Sequence, residues 1–346
     1  MRGIPIGSSM STAGSSSISV TDSRVLVTGG FGFIGSWLAH KLVADGNSVT
    51  LLDIASPAGS CAEALGLTTH PDVRCVIGDL MDPGAFSGLG TEFTHIVHAA
   101  GFLGIHKVVE QPVATLDVNI LATRTVLEFA RAQQDLKRVV LFSTSEVYGQ
   151  EASDVSETDP AVVGTDSTRW GYAASKLAVE FYGRAYHEHH HVPVVTVRPF
   201  NVYGPHRAGS NAMTALVSRA LRGEELHISG DGSQSRAWCE ITDFVDGLIR
   251  CLAMPEAVGE IFNLGDDKTA LSLLELAEKI VDLTSSASSI RVIGDAVPDV
   301  RSRRPVIDKA RTILGYAPST SVDEGITAVV RAMRETADGV LAQSAR

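Results

Sequence analysis

The stretch RVLVTGGFGFIG, residues 24–35, joins an apolar, β-branched run to an amphipathic pattern through glycines at positions 29, 30, 32 and 35. A strand must end and a helix begin within a few residues. The glycines permit that tight turn and let a pyrophosphate sit against the free N–H groups of the helix start. Gly30, Gly32 and Gly35 spell GxGxxG, while Gly29, Gly32 and Gly35 spell GxxGxxG. In a strand–turn–helix context either register is a dinucleotide-binding fingerprint. Asp53 closes the next β-rich run, 24 positions after Gly29, where a carboxylate accepts from both ribose hydroxyls and repels a 2′-phosphate. No arginine follows it closely, so the expected cofactor is NAD rather than NADP. Asp79 ends a third run and reads either as a ligand of the adenine amino group or as a helix N-cap.

The runs SVTLLD, VRCVIGD, HIVHAA, RVVLFS and VPVVTVRP continue the pattern, with helices expected from about Ile34, over about residues 112–133 and from about Tyr172. Near-continuous apolar strands separated by helices predict a parallel sheet covered on both faces, the doubly wound α/β class. After Pro199 the chain turns to a Gly/Pro loop, FNVYGPHRAGS, and then to short turn-rich strands and helices. We expect an NAD-binding Rossmann domain over 24–200, with short returns around 237–265. A smaller mixed α/β lobe over 201–346 would mainly hold the substrate. Residues 1–23 are Ser/Gly-rich, lack the apolar segment of a secretory signal and read as a disordered tail.

Of the 346 residues, 44% are hydrophobic and 20% charged, enough for a sizeable core. The formal charge of -11 argues against nucleic acid or an anionic membrane as partner. No apolar run approaches the ~20 residues of a membrane span. Four cysteines without a CxxC pair fit reduced thiols in a cytoplasmic protein better than a disulfide frame or zinc site. The tract HEHHH, residues 187–191, contains HExxH, but Pro193 follows at once and begins a strand, so a solvated helix end is expected and no metal.

Tyr172 and Lys176, in GYAASK, stand four residues apart and share one helix face. An ammonium beside a phenol favours phenolate, so Lys176 is expected to lower the Tyr172 pKa and make it a general base. The motif is short, and an amphipathic helix explains it equally well in isolation. Here it follows the glycine turn and a strand ending in LFSTS, and precedes VRPFNVYGP.

Together these segments resemble the extended short-chain dehydrogenase/reductase family, in its branch that modifies nucleotide-diphosphate sugars. The resemblance runs over residues 24 to about 335. It rests on TGGFGFIG, GDL, HAAG, Asn119, STSEVYG, YAASK, RPFNVYGP, GSQSRAW and RRPVIDKARTILGY. It implies that Thr144, Tyr172 and Lys176 oxidise the sugar at C4: Thr144 bonds the C4 hydroxyl, Tyr172 takes its proton, and Lys176 holds the nicotinamide ribose. It further implies that NAD lies against Gly29, Gly32, Phe33, Ile34, Gly35, Asp53, Asp79, Leu80, Ala99, Ala100, Tyr172 and Lys176. Asn201, Arg236 and an arginine of DVRSRRP would clamp the diphosphate. Arg303 aligns best for that role, with Arg301 its rival. A homodimer is implied as well, packed through the helix after Pro112 and the Tyr172 helix.

The resemblance also gives the triplet Thr144-Ser145-Glu146 a meaning. In the family, simple 4-epimerases carry small or hydroxyl residues where Glu146 stands, and 4,6-dehydratases carry Thr-Asp-Glu. Serine is a poor proton donor to a departing hydroxide, so Ser145 disfavours a dehydratase of the Asp type. Thr-Ser-Glu occurs in UDP-glucuronate decarboxylases and in GDP-mannose dehydratases. STRWGYAASK and DVRSRRPVIDKARTILGY look more like the decarboxylases. The expected activity is therefore UDP-glucuronate decarboxylation, with NDP-sugar 4-epimerisation and then 4,6-dehydration as alternatives. One departure is GPHR where the decarboxylases have GPR, which leaves His206 or Arg207 to contact the substrate carboxylate. Two rivals use the same fold: a non-catalytic NAD-binding regulator and a carbonyl reductase exchanging its cofactor with solvent. The presence of Thr144, Tyr172 and Lys176 argues against the regulator; a long C-terminal lobe with phosphate-clamping arginines argues against the reductase.

Overall fold

The computed structural model describes residues 18–82, 84–102, 104–207, 211–294 and 300–344; side chains at 105, 106 and beyond 335 are outside the description. The first half runs β1 (Arg24–Thr28), α1 (Phe33–Ala44), β2 (Ser48–Asp53), α2 (Cys61–Ala64), β3 (Val73–Ile77), β4 (His95–His98), α3 (Ile105–Glu110) and α4 (Pro112–Arg131). It continues through β5 (Arg138–Phe142), β6 (Glu151–Val155), α5 (Gly171–His190) and β7 (Val194–Pro199). The second half is β8 (Val202–Tyr203), α6 (Ala212–Leu221), β9 (Leu226–Ser229), β10 (Ser235–Ala237), β11 (Cys239–Glu240), α7 (Ile241–Ala253) and β12 (Ile261–Leu264). It ends with β13 (Ala270–Ser272), α8 (Leu273–Thr284), β14 (Ile290–Ile293), β15 (Ser302–Pro305) and α9 (Val322–Ser344).

Seven strands form one parallel sheet in the order β12-β7-β5-β4-β1-β2-β3. Period-two alternation sorts each strand's residues to opposite faces. Val25, Val27, Val140, Phe142, Val195 and Val197 enter the core beneath α1 and α7. Leu26, Val139, Leu141 and Val194 enter the other, beneath α4 and α5. All five residues of β5 are buried, as a strand covered on both faces requires. This is the Rossmann architecture expected from the sequence. β12, contributed from beyond the Tyr172 helix, extends the sheet beside β7.

A third core gathers Leu216, Val217, Trp238, Leu276, Ile280, Ile326 and Val329 from α6, α8, α9 and the segment before α7. A four-stranded sheet, β13-β10-β15-β6, meets α8 through β13 and the turn at residues 145–148 through β6. Val20 is buried and the Asn47 amide donates to its carbonyl at 2.7 Å. The packed chain therefore starts before Arg24; of the tail expected at 1–23, residues 1–17 lie outside the described residues.

A buried polar chain ties these layers together. Glu180 on α5 and Arg198 on β7 form a two-pronged pair, at 2.8 and 2.7 Å, and each side chain is only 6% exposed. Ser143 donates to Glu180 at 2.5 Å, Arg198 donates to the Tyr148 hydroxyl at 2.6 Å, and Tyr148 donates to Asn263 on β12 at 2.8 Å. Asn263 then donates to the carbonyls of Val155 and Val306. Removing one partner would strand the other as an unpaired buried charge. Arg198→Leu is expected to lower unfolding free energy by about 3–5 kcal/mol in urea denaturation, whereas breaking the exposed Arg301–Glu151 pair is expected to cost under about 1 kcal/mol.

Candidate active site

The sheet order reverses between β1 and β4, and the glycine turn sits at that switch point, beyond the carboxyl ends of the strands. Gly29 adopts φ +68°, and a β-carbon there would stand 2.6 Å from the Ala100 nitrogen. One at Gly35 would run into the Gly29 carbonyl. Gly30 faces the Leu51 side chain of β2, where its β-carbon would lie 2.7 Å from that of Leu51. The turn thus needs Gly29 and Gly35, while Gly30 serves packing against the sheet. Gly32 caps α1 without a side-chain acceptor, so the first-turn N–H groups, Phe33 and Ile34 among them, face the cradle uncapped by protein side chains. Ala99 donates its N–H to Thr28 at 3.1 Å, fixing the opposite wall.

Asp53 ends β2 beside this cradle, its two oxygens accepting the N–H groups of Phe31 and Ala55 at 3.0 Å each. Asp79 is exposed and accepts the Met81 N–H at 2.9 Å in a local turn, with Leu80 buried behind it. An uncapped helix start in a glycine cradle, with a carboxylate at the neighbouring strand end, suits a dinucleotide pyrophosphate and ribose.

Tyr172 and Lys176 lie one turn apart on α5. Thr144, at the end of β5, hydrogen-bonds the Tyr172 phenol. It also accepts the Glu146 N–H at 3.2 Å, capping the short helical turn Ser145–Tyr148. Asn119 of α4 bridges Phe102 and the Ser175 hydroxyl, the latter at 3.0 Å, fixing α5 against the loop after β4. Ser145 is buried within the turn. Thr144, Ser145, Glu146, Tyr172 and Lys176 therefore meet in one place.

The electrostatics differ from the sequence expectation. The Tyr172 phenol is raised, not lowered: burial acts most strongly, the Glu146 charge adds to it, and the Thr144 bond and Arg303 charge only partly oppose it. Burial also lowers Lys176, from 10.5 to about 8. His98, buried between Thr28 and Thr123, falls to about 3 through burial first and the Lys176 charge second, and stays neutral.

Glu146 is held by Arg169, Nη1 to Oε2 at 2.8 Å, with both side chains largely enclosed, at 13% and 17% exposure. The Arg169 guanidinium lies 5.3 Å from the centre of the Trp170 ring. The sequence segment STRWGYAASK contains Arg169 but assigns it no role of its own.

Across the site, Arg236 on β10 and Arg303 on β15 stand directly opposite each other in parallel register. Neighbouring like charges on one sheet face disfavour each other and favour an anion between them. Arg236 donates to the carbonyls of Ser235 and Val300, and Arg303 is buried beside Gly149. Arg301 instead pairs with Glu151 on the exposed side, with 75% of its side chain exposed. Asn201 adopts φ +37° and donates to the Ala237 carbonyl at 3.4 Å. Arg207 lies over Phe33, 5.2 Å from the ring centre, and donates to the Val202 carbonyl, which commits it to the first turn of α1. The histidines at 189, 190 and 191 are exposed at the end of α5. Among the described residues no cluster of three His, Cys, Asp or Glu side chains could hold a metal.

The fold and this site define a Rossmann-type, NAD-dependent enzyme. More narrowly, the chain belongs to the NAD dependent epimerase/dehydratase family, whose family model matches residues 25–265. It is 32% identical over 324 residues to a UDP-N-acetyl-alpha-D-glucosaminuronate decarboxylase of Bacillus cytotoxicus, covering 90% of this chain and 98% of that protein. It is 31% identical over 322 residues to UDP-glucuronic acid decarboxylase 1 of Danio rerio, covering 89% and 72%. A dTDP-glucose 4,6-dehydratase of Streptomyces venezuelae, solved with NAD bound, superposes with TM-score 0.81 at 30% identity, covering 91% and 98%.

The Lys176 shift fixes the sign of a pH effect in the cofactor-free protein. Between about pH 8 and 10.5 the unfolded lysine still binds a proton that the buried one has released, so this group makes stability rise with pH across that window. Subtracting the stability-versus-pH curve of Lys176→Met from that of the wild type should leave a positive slope there; a flat difference refutes it.

Proposed function

We propose that this enzyme oxidises a nucleotide-diphosphate uronic acid at C4 and removes its C5 carboxylate, with UDP-glucuronate as substrate. The observation carrying this reading is the enclosed Glu146 beside Thr144 and Tyr172, in a chain similar over nearly its whole length to decarboxylases.

Gly29, Gly32, Phe33, Ile34 and Gly35 would hold the pyrophosphate of NAD, Asp53 its adenosine ribose, and Asp79 and Leu80 would flank the adenine. Ala99 and Ala100 would form the opposite wall, and Lys176 would hold the nicotinamide ribose. Bound NAD supplies the acceptor for the C4 hydride. The residues do the rest. Thr144 orients the C4 hydroxyl and Tyr172 takes its proton. Lys176, which burial lowers only to about 8, would carry positive charge one helical turn from Tyr172, the sign of charge that favours a phenolate. Once C4 is a ketone the sugar is a β-keto acid. The C5–C6 bond breaks, its electron pair moves into the C4 carbonyl to give an enolate, and CO₂ leaves. The Ser145–Glu146 turn would then position the water that returns a proton to C5. Asn201, Arg236 and Arg303 would grip the diphosphate, making residues 201–346 mainly the substrate lobe.

Mass spectrometry after incubation with UDP-glucuronate and NAD⁺ tests the assignment. Loss of CO₂ from the sugar is the expected result, an isobaric product would mean 4-epimerisation, and no turnover would overturn the substrate.

The protein would act as a cytoplasmic homodimer. Its cysteines are free thiols, and no described helix is long and apolar enough to cross a membrane. On α5, Phe181 is 70% exposed in line with Ala174, Ala178 and Ala185, and Leu116 and Leu121 stand exposed on the adjoining α4. Joining two such faces removes both from water. Phe181→Glu is expected to halve the mass measured by sedimentation equilibrium.

A further inference from the structure

We infer that the amino-end side of the main sheet carries a second ligand site, a cavity for a small organic anion bearing one phosphate or carboxylate group. The cavity has a volume of about 290 Å³ and is floored by residues near the starts of β1, β2 and β3. Arg24 stands beside Ser48, and Thr50 beside Arg74, in the parallel register. Side-chain alternation puts all four on the sheet face that holds Leu26 and Leu52. Leu89, Glu92 and Phe93, from the segment between β3 and β4, line the cavity from the other side. The cofactor cradle lies at the opposite end of the same strands, since β1 runs from Arg24 to Thr28 before the glycine turn begins, about 13 Å of extended chain.

The cavity presents donors without partners. Among the described residues the hydroxyls of Ser48 and Thr50 have no hydrogen-bond partner, and Thr50 is only 9% exposed. A hydroxyl left unpaired in so enclosed a place costs free energy that an acceptor on a ligand recovers. Beside it, two nitrogens of the Arg74 guanidinium share the Gly88 carbonyl at 3.4 Å each, and among the described residues no carboxylate pairs with it. Arg24 is already matched by Glu92. Asp72 is an opposing charge, but 61% of its side chain is exposed and it lies 3.9 Å from His70. A guanidinium fork and two hydroxyls can all donate, so the complementary group is an oxyanion. Leu89 and Phe93, both buried, give the carbon body of such a ligand an apolar wall. At about 30 Å³ per water the cavity has room for roughly ten waters, which suits a small organic anion and is too little for a second nucleotide sugar.

The test is isothermal titration calorimetry on the full-length protein, with excess NAD and UDP present to fill the cofactor and diphosphate sites. Phenyl phosphate and benzoate are the probes, and benzyl alcohol is the neutral control. At least one anion should bind saturably and about tenfold or more tightly than benzyl alcohol. Arg74→Gln should weaken that binding about fivefold or more and Thr50→Val about threefold or more, the sizes of a charge-assisted and a neutral hydrogen bond. Neither side chain belongs to the catalytic or cofactor-binding set, so NAD affinity should stay within about twofold of the wild type in both variants, which also shows that they fold. Binding that falls with Arg74→Gln but not with Thr50→Val would be pairing at an exposed arginine rather than seating in the cavity, and overturns the inference. Absence of saturable anion binding, or equal binding of benzyl alcohol, overturns it as well. If Thr50→Val does not fold, Ser48→Ala carries the same comparison.

Discussion

The geometry of the site depends on where the chain goes after β5, and that is set by the Glu180–Arg198 pair buried beneath it. Ser143 is the first residue beyond β5 and donates to Glu180; Tyr148, at the other end of the same loop, accepts from Arg198. The loop carrying Thr144, Ser145 and Glu146 is thus pinned at both ends to a pair that itself joins α5 to β7. Because α5 also carries Tyr172 and Lys176, the threonine and the tyrosine are positioned by the same rigid body. Such a pair has to overcome the cost of taking two charges out of water. The two-pronged geometry and the further bonds to Ser143 and Tyr148 leave few of its polar atoms unsatisfied, which is the condition under which that cost is met.

The same chain of bonds continues into the second half of the protein. Tyr148 donates to Asn263 on β12, and Asn263 donates to carbonyls at the ends of β6 and β15. Arg303 belongs to β15 and Arg236 to its neighbour β10. The arginine pair and the Thr144–Tyr172 pair are therefore referenced to a common point.

How much of this the sequence carries follows from what each part is made of. The main sheet was legible because strands buried on both faces are apolar throughout, as in RVVLF, and the glycine turn because Gly29 and Gly35 leave no room for a β-carbon. The small sheet was not legible. Its edge strand EASDV is polar and pairs with residues 302–305, which pair in turn with 235–237, so nothing local marks the pairing. Tyr172 and Lys176 announced themselves by their spacing. Arg169 did not, since a lone arginine before a helix is ordinary until Glu146, 23 residues earlier, is brought to it by the fold. Glu180 and Arg198 had no signal as functional residues, because each reads in isolation as an unremarkable charge.

The expected direction of the Tyr172 shift failed for a related reason. Four-residue spacing shows that an ammonium is near the phenol but says nothing of how much water surrounds either. Burial penalises the charged form of both groups, so it raises the phenol while lowering Lys176 to about 8. In the protein alone, Tyr172 is thus held as a proton donor at neutral pH, and its turn to base depends on positive charge gained or negative charge offset at the site. Glu146 works against phenolate, and Arg169, paired to it at 2.8 Å, offsets that charge at its source. Arg303 works in the favourable direction from the other side. The arginines that flank the site therefore bear on the proton at Tyr172 as well as on the anionic groups they face, and the poise of the phenol is a property of the whole charge arrangement rather than of the Tyr–Lys motif by itself.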